Sequence, residues 1–170
     1  MRKVAFISAE KETDIKKVML YETSSDGTYL FGYDTVYDTG CIFDNWFEDL
    51  SDAEFVCKEE YGVDKNDWIL ISDPLEFCQD DLIMSIRVKG RESGKPQWEK
   101  CEILLDGEWK DYNYEFDKYQ SLKEMSGNER LFFSGLVDEF DKAKIQDKAK
   151  ARKILKVLQF DRESIEKLNE

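Results

Sequence analysis

The stretch Asp67–Trp98, DWILISDPLEFCQDDLIMSIRVKGRESGKPQW, constrains this chain most, because it joins both prolines to the longest apolar runs. Trp68-Ile69-Leu70-Ile71 is too short for a helix and is rich in β-branched and aromatic residues, so it predicts a buried strand. Asp73-Pro74 ends it, since proline brings no N–H to a ladder. From Leu82 to Lys89 the residues alternate: Leu82, Met84, Ile86 and Val88 take one face, Ile83, Ser85, Arg87 and Lys89 the other. Gly90 and Gly94-Lys95-Pro96 then break the chain. Two strands joined by an acidic loop follow from this pattern, and no chemistry does.

Before this stretch, Lys3–Ser8 and Lys16–Glu22 predict edge strands. The turn Thr23–Gly27 leads into a return strand at Thr28–Tyr33, and Cys41–Phe47 predicts a fourth strand. Ser51-Asp52-Ala53-Glu54 fits a capping box for a helix over Ser51–Tyr61, with Ala53, Phe55, Val56 and Cys57 on one side near Tyr61. After it, Asp106-Gly107 between Lys100–Leu105 and Glu108–Asn113 is the strongest hairpin signal in the chain. Tyr112, Tyr114 and Phe116 share a face of its second arm. From Ser126 the apolar period becomes helical, with one stripe from Leu131 to Phe140, another from Ala151 to Leu158, and a short helix at Asp161–Leu168. Strands first and helices last predict an α+β fold: a mainly antiparallel sheet of residues 1–118, and a helical appendage, 121–170, docked on it. Phe133, Leu136, Phe140, Ile154, Leu155 and Leu158 are the expected docking side chains.

The chain contains no histidine, which removes His-activated serine or cysteine nucleophiles and the usual zinc hydrolase sites. It has no P-loop, no G-x-G-x-x-G and no G-x-S-x-G. Cys41, Cys57, Cys78 and Cys101 form no C-x-x-C pair, so free thiols in a reducing cytosol are expected. The apolar run Val4–Ala9 is too short for a signal peptide, and no segment reaches transmembrane length. A cytoplasmic protein with no membrane association is expected.

Charge is the remaining signal. Of the net −13, residues 22–81 carry seventeen acidic and two basic side chains, whereas Lys142–Lys156 holds seven basic residues against Asp147 alone. Candidate binding residues are Asp73, Glu76, Asp80 and Asp81 in the acidic loop, Asp44 and Trp46 ahead of it, and Arg87 and Arg91 beyond it. A solvated acidic body steered against its own basic helix is one reading. The sharper expectation is a non-catalytic, immunity-like binder of a basic protein partner, since a concentrated field raises on-rates and specificity. Nucleic-acid contact through the basic helix is disfavoured, because the acidic body repels phosphates. The alternative is a carboxylate-based, metal-dependent enzyme on the Asp73–Asp81 loop. Its spacing matches no EF-hand, so no catalytic residue, metal or cofactor is assigned.

W-I-x-I-x-D-P-L-x-x-C-Q from Trp68 to Gln79, followed by R-V-K-G-R-x-x-G-x-P-x-W from Arg87 to Trp98, resembles a group of small bacterial proteins of unassigned function. The likeness runs from Phe43 to Trp109, roughly two-fifths of the chain. It implies a shared fold and a bacterial origin, and brings no activity with it. Members of the group often carry a histidine after Cys-Gln, where this chain has Asp80.

Overall fold

In a computed structural model the described residues are 1–8, 10–113 and 122–169. The fold is α+β, with five- and three-stranded antiparallel sheets and a helical C-terminal region. The chain begins with β1 (Arg2–Phe6), β2 (Lys17–Glu22), β3 (Thr28–Tyr33) and β4 (Phe43–Phe47). Helix α1 (Leu50–Tyr61) follows, then β5 (Ile69–Ile71) and β6 (Ile86–Val88). A hairpin of β7 (Cys101–Leu105) and β8 (Glu108–Tyr112) precedes α2 (Gly127–Phe133), α3 (Val137–Gln146), α4 (Lys148–Val157) and α5 (Arg162–Glu166). Tyr114, Phe116 and the boundary between the expected body and appendage lie outside the described residues.

The five-stranded sheet has the order β4-β3-β2-β1-β5. The two strands expected at edges are therefore interior, and the strand expected to be buried, β5, is an edge with Leu70 exposed. Lysines and arginines at the start of β1 and β2 suggest an exposed edge, yet Arg2, Lys3 and Lys17 are all buried. Arg2 is satisfied by the carbonyls of Ser72 (2.8 Å) and Leu82 (2.5 Å), Lys17 by the carbonyl of Tyr37 (2.6 Å), and Lys3 by Glu54. The alternating run Leu82–Lys89 is strand only at β6, although Leu82, Ile86 and Val88 are buried as the alternation requires. Ahead of it, Ile83 and Met84 donate their N–H groups to Asp38 instead of to a ladder (2.8 and 2.7 Å).

Each face of the large sheet carries its own core. Ala5, Val18, Leu20 and Leu30 meet Ala53 and Cys57 of α1. The cap of α1 is Asp49, not Ser51: its carboxylate accepts from the Asp52 N–H (3.1 Å) and the Ser51 hydroxyl (2.6 Å). Glu54 is thereby released to pair with Lys3. Phe55, expected inside, is exposed, since two residues past Ala53 turn it about 200° around the helix. On the opposite face Val4, Met19, Phe31 and Ile69 pack against Leu131, Leu136, Ile154 and Leu158 of the C-terminal region. Among the described residues that region forms four α-helices where two or three were expected, because the stripe from Leu131 to Phe140 is divided at Gly135 (φ 76°) into α2 and α3, while Asp147 caps α4 through the Lys150 N–H (3.0 Å). Leu136, Ile154, Leu155 and Leu158 are buried, with Phe133 and Phe140 half-buried.

The small sheet, β6-β7-β8, has its own cluster of Leu82, Ile86 and Ile103. Asp106 and Gly107 both take positive φ (54° and 80°), the backbone that a two-residue I′ turn demands. Asp38, fully buried, ties this sheet to the rest. Beyond Ile83 and Met84, its own N–H donates to the Phe133 carbonyl (2.7 Å). A Cβ on Gly135 would fall 2.6 Å from the Asp38 carboxylate, so that turn needs glycine for space as well as for its φ of 76°.

Candidate functional site: an aromatic row among carboxylates

Strand register assembles the site. Ile71, Arg2, Tyr21, Tyr29 and Trp46 are successive partners across β5, β1, β2, β3 and β4, so all five project from one face of the sheet. The row runs from a buried guanidinium to an open indole: Arg2 is 2% exposed and Trp46 55%. Tyr29 stacks on Phe31 of the next row, with ring centroids 6.1 Å apart and planes 8° from parallel. The Trp46 indole N–H donates to the Asp26 carbonyl and the Tyr29 hydroxyl to the Asp26 carboxylate, so the β2–β3 turn holds both rings.

Carboxylates surround this row. Asp44 is the β4 partner of Phe31 and lies on the same face as Trp46. Burial, then the charges of Asp80 and Asp73, push the Tyr21 phenol above its ordinary range. The hydrogen bond to Asp26, partial burial and the charges of Asp26, Asp44 and Asp80 do the same for Tyr29. Both phenols thus remain neutral hydrogen-bonding groups in a negative field. Among the described residues no lysine or arginine pairs with the side chains of Asp26, Asp44 or Asp80; Asp73 meets the N-terminal ammonium at 3.3 Å.

Of the residues singled out in the sequence, Asp44 and Trp46 share this face on β4, the charge of Asp80 acts on both Tyr21 and Tyr29, and that of Asp73 acts on Tyr21 from the β5 end of the row. Asp81 turns inward: its carboxylate accepts the Cys41 N–H (2.9 Å) and its carbonyl the Tyr33 hydroxyl (2.6 Å). Glu76 stands exposed on its loop. Arg87 lies 3.8 Å above the Trp109 ring and pairs with Glu102 at 2.7 Å, which holds the small sheet together. Arg91 reaches the Phe77 carbonyl and the Gln79 amide. Among the described residues no three His, Cys, Asp or Glu side chains are placed to hold a metal ion. Tyr21 and Tyr29 were missed as site residues. The signal was present, since the Thr23–Gly27 turn sets Tyr21 opposite Tyr29.

The basic segment meets its partners elsewhere. Glu139, 5% exposed, accepts from the Ser72 N–H (2.9 Å) and hydroxyl (2.6 Å) and from Lys150 (2.6 Å), with Lys142 3.6 Å away. Burial alone would raise its carboxyl, but Lys150 and the two Ser72 donors outweigh that and hold it at about 2. Arg2, Ser72, Asp73, Glu139 and Lys142 line a cleft of about 240 Å³ beside β5, smaller than most ligand pockets. No described helix is long and apolar enough to cross a membrane. Comparison of the chain with protein-family models, curated proteins and solved structures returned no match.

Proposed function

We propose that this chain is a non-catalytic interaction protein that presents the Tyr21–Tyr29–Trp46 row and its carboxylates to a basic protein partner. The observation that carries the reading is the open end of the row. Trp46 is more than half exposed beside its cross-strand partner Tyr29, on which the charges of Asp26, Asp44 and Asp80 act, and no cation of the described residues pairs with those three carboxylates. Tryptophan and tyrosine offer large rigid contact area at low entropic cost, and an electron-rich ring favours lysine or arginine over its face. Uncompensated carboxylates beside such rings supply steering and register. The immunity-like role, binding and neutralising a basic nuclease or toxin, has this same physics behind it.

Affinity capture from the source lysate tests the reading when run with the parent chain and with Trp46→Ala/Asp80→Asn, each checked for an unchanged urea midpoint. A protein of basic isoelectric point is expected on the parent, reduced about tenfold or more on the variant and lost near 1 M salt, where screening falls to about 3 Å. Capture indifferent to both the substitutions and the salt would remove the basis for this function.

A further inference from the structure

The two edges of the large sheet are treated differently. On β1, the Glu22 N–H donates to the Met1 carbonyl (3.0 Å), so odd-numbered residues bond to β2 and even-numbered ones to β5. Arg2 and Val4 are the partners of Ile71 and Ile69, which turns Trp68, Leu70 and Ser72 outward from the sheet. Charged side chains close both ends of that edge. Lys153 donates to the Trp68 carbonyl (3.0 Å), and Glu139 accepts the Ser72 N–H. Among the described residues only Leu70 remains open between them, as expected of a protected edge.

At the other edge the same alternation gives the opposite result. The Thr23 N–H bonds to the Gly27 carbonyl (2.9 Å), so odd residues of β3 bond to β2 and even ones to β4. Thr28, Leu30 and Gly32 are partners of Phe47, Asn45 and Phe43. The N–H and C=O groups of Asp44 and Trp46 therefore point away from the sheet, and nothing among the described residues bonds to them. Asp44, Asn45 and Trp46 are all exposed. The strand FDNWF has no lysine, no proline and no plug like Lys153.

We propose that β4 is a strand-addition site whose occupant is an extended segment of the basic partner, with lysine or arginine at alternate positions. This rests on the partner surface described above and deepens it. An added antiparallel strand bonds to the outward groups of Asp44 and Trp46, and the two residues opposite them project onto the same face as those side chains. One cation then meets the Asp44 carboxylate and the other the Trp46 ring. The residue between them faces the Asn45 side and is small or β-branched. A second copy of this chain fits the backbone but not the charge, since it would bring together two chains of net −13.

The test uses the full chain and a capped peptide of about eight residues alternating lysine and threonine. It is compared with two versions, N-methylated at the lysines or at the threonines. Binding is followed by tryptophan emission and by amide exchange. The parent peptide is expected to bind and to slow exchange at Asp44 and Trp46 at least tenfold, leaving Asn45, already bonded within the sheet, unchanged. Methylation at the lysines, whose amides face β4, weakens binding about tenfold or more, while methylation at the threonines is tolerated within about threefold. Equal binding of all three peptides with unprotected amides would overturn strand addition and leave the electrostatic surface standing. If no peptide binds even at low ionic strength, both readings fall. A concentration-dependent dimer with the Asp44 and Trp46 amides protected would assign the edge to a second copy and overturn the choice of occupant.

Discussion

Replacing Glu139 by glutamine probes how the helical region is fastened to the sheet. The side chain sits on α3, yet one oxygen accepts both Ser72 donors just beyond β5 and the other accepts Lys150 of α4. One carboxylate thus joins three elements. Its pKa, held at about 2 against an ordinary 4.5, converts to about 3 kcal/mol of folding stability at neutral pH. The sign follows from linkage. A carboxyl whose folded pKa is lowered stabilises the folded chain above its unfolded value, and this contribution fades as pH falls from about 4.5 to about 2. Glu139→Gln keeps the shape but removes the charge, leaving Lys150, 22% exposed, without its carboxylate. A loss of about 2–3 kcal/mol at pH 7 is expected by urea denaturation. The gap between parent and variant should narrow as pH falls from about 4.5, which separates Glu139 from every other titrating carboxylate. A loss below about 0.5 kcal/mol with parallel pH profiles would refute the reasoning, and the carboxylate would then be a surface ion pair.

Lys17, fully buried with its pKa pushed down to about 8 by that burial, makes the unfolded chain the better proton binder from there to 10.5. Stability should therefore rise with pH across that window in the parent, and Lys17→Met should flatten the rise in urea titrations. At Gly32 a Cβ would fall 2.1 Å from the Phe43 ring, so Gly32→Ala should cost about 1–3 kcal/mol and loosen β4. An unchanged melting temperature would show that the ring moves aside freely. Arg87→Lys should cost about 1.5–3 kcal/mol, because an ammonium cannot both lie flat on Trp109 and pair with Glu102. A neutral result by thermal melting would mean the small sheet does not depend on that stack. Ile154→Ala, under the sheet with no exposure, should lose about 2–5 kcal/mol, and a loss under 1 would mean that α4 is weakly docked.

Local signals in this chain were legible where short-range physics decides. Asp106-Gly107 has one good solution for its backbone, and Ile86 and Val88 alternate with Arg87 because their strand face is buried. Strand order was not legible, since pairing β1 with β5 closes a loop of more than sixty residues. Arg2 and Lys17 misled for a related reason: their carbonyl partners at Ser72, Leu82 and Tyr37 are far away in sequence. Arg87 and Arg91 look like free cations in a basic run, and only the fold shows Trp109, Glu102 and the Phe77 carbonyl beside them. Trp46 was within reach because it lies among acidic neighbours in the chain. Tyr21 and Tyr29 were within reach only through the register that the Thr23–Gly27 turn sets between β2 and β3.

The charge asymmetry takes its meaning from which cations are already engaged. Lys142 and Lys150 converge on Glu139, Lys144 on Asp141 one turn earlier, and Lys153 on the carbonyls of Asn66 and Trp68. The Lys144 pair lies within α3, whereas the contacts of Glu139 and Lys153 fasten the helical region beside β5, at the far side of the sheet from β4. None of them reaches Asp26, Asp44 or Asp80. The basic segment therefore serves the fold at one edge without cancelling the field at the other. If that segment neutralised the body generally, any association at Trp46 would be indifferent to salt. Under the proposed function, the field left open at β4 would draw a cationic partner to the edge whose backbone groups are free, and added salt would slow its arrival before it loosened the bound state.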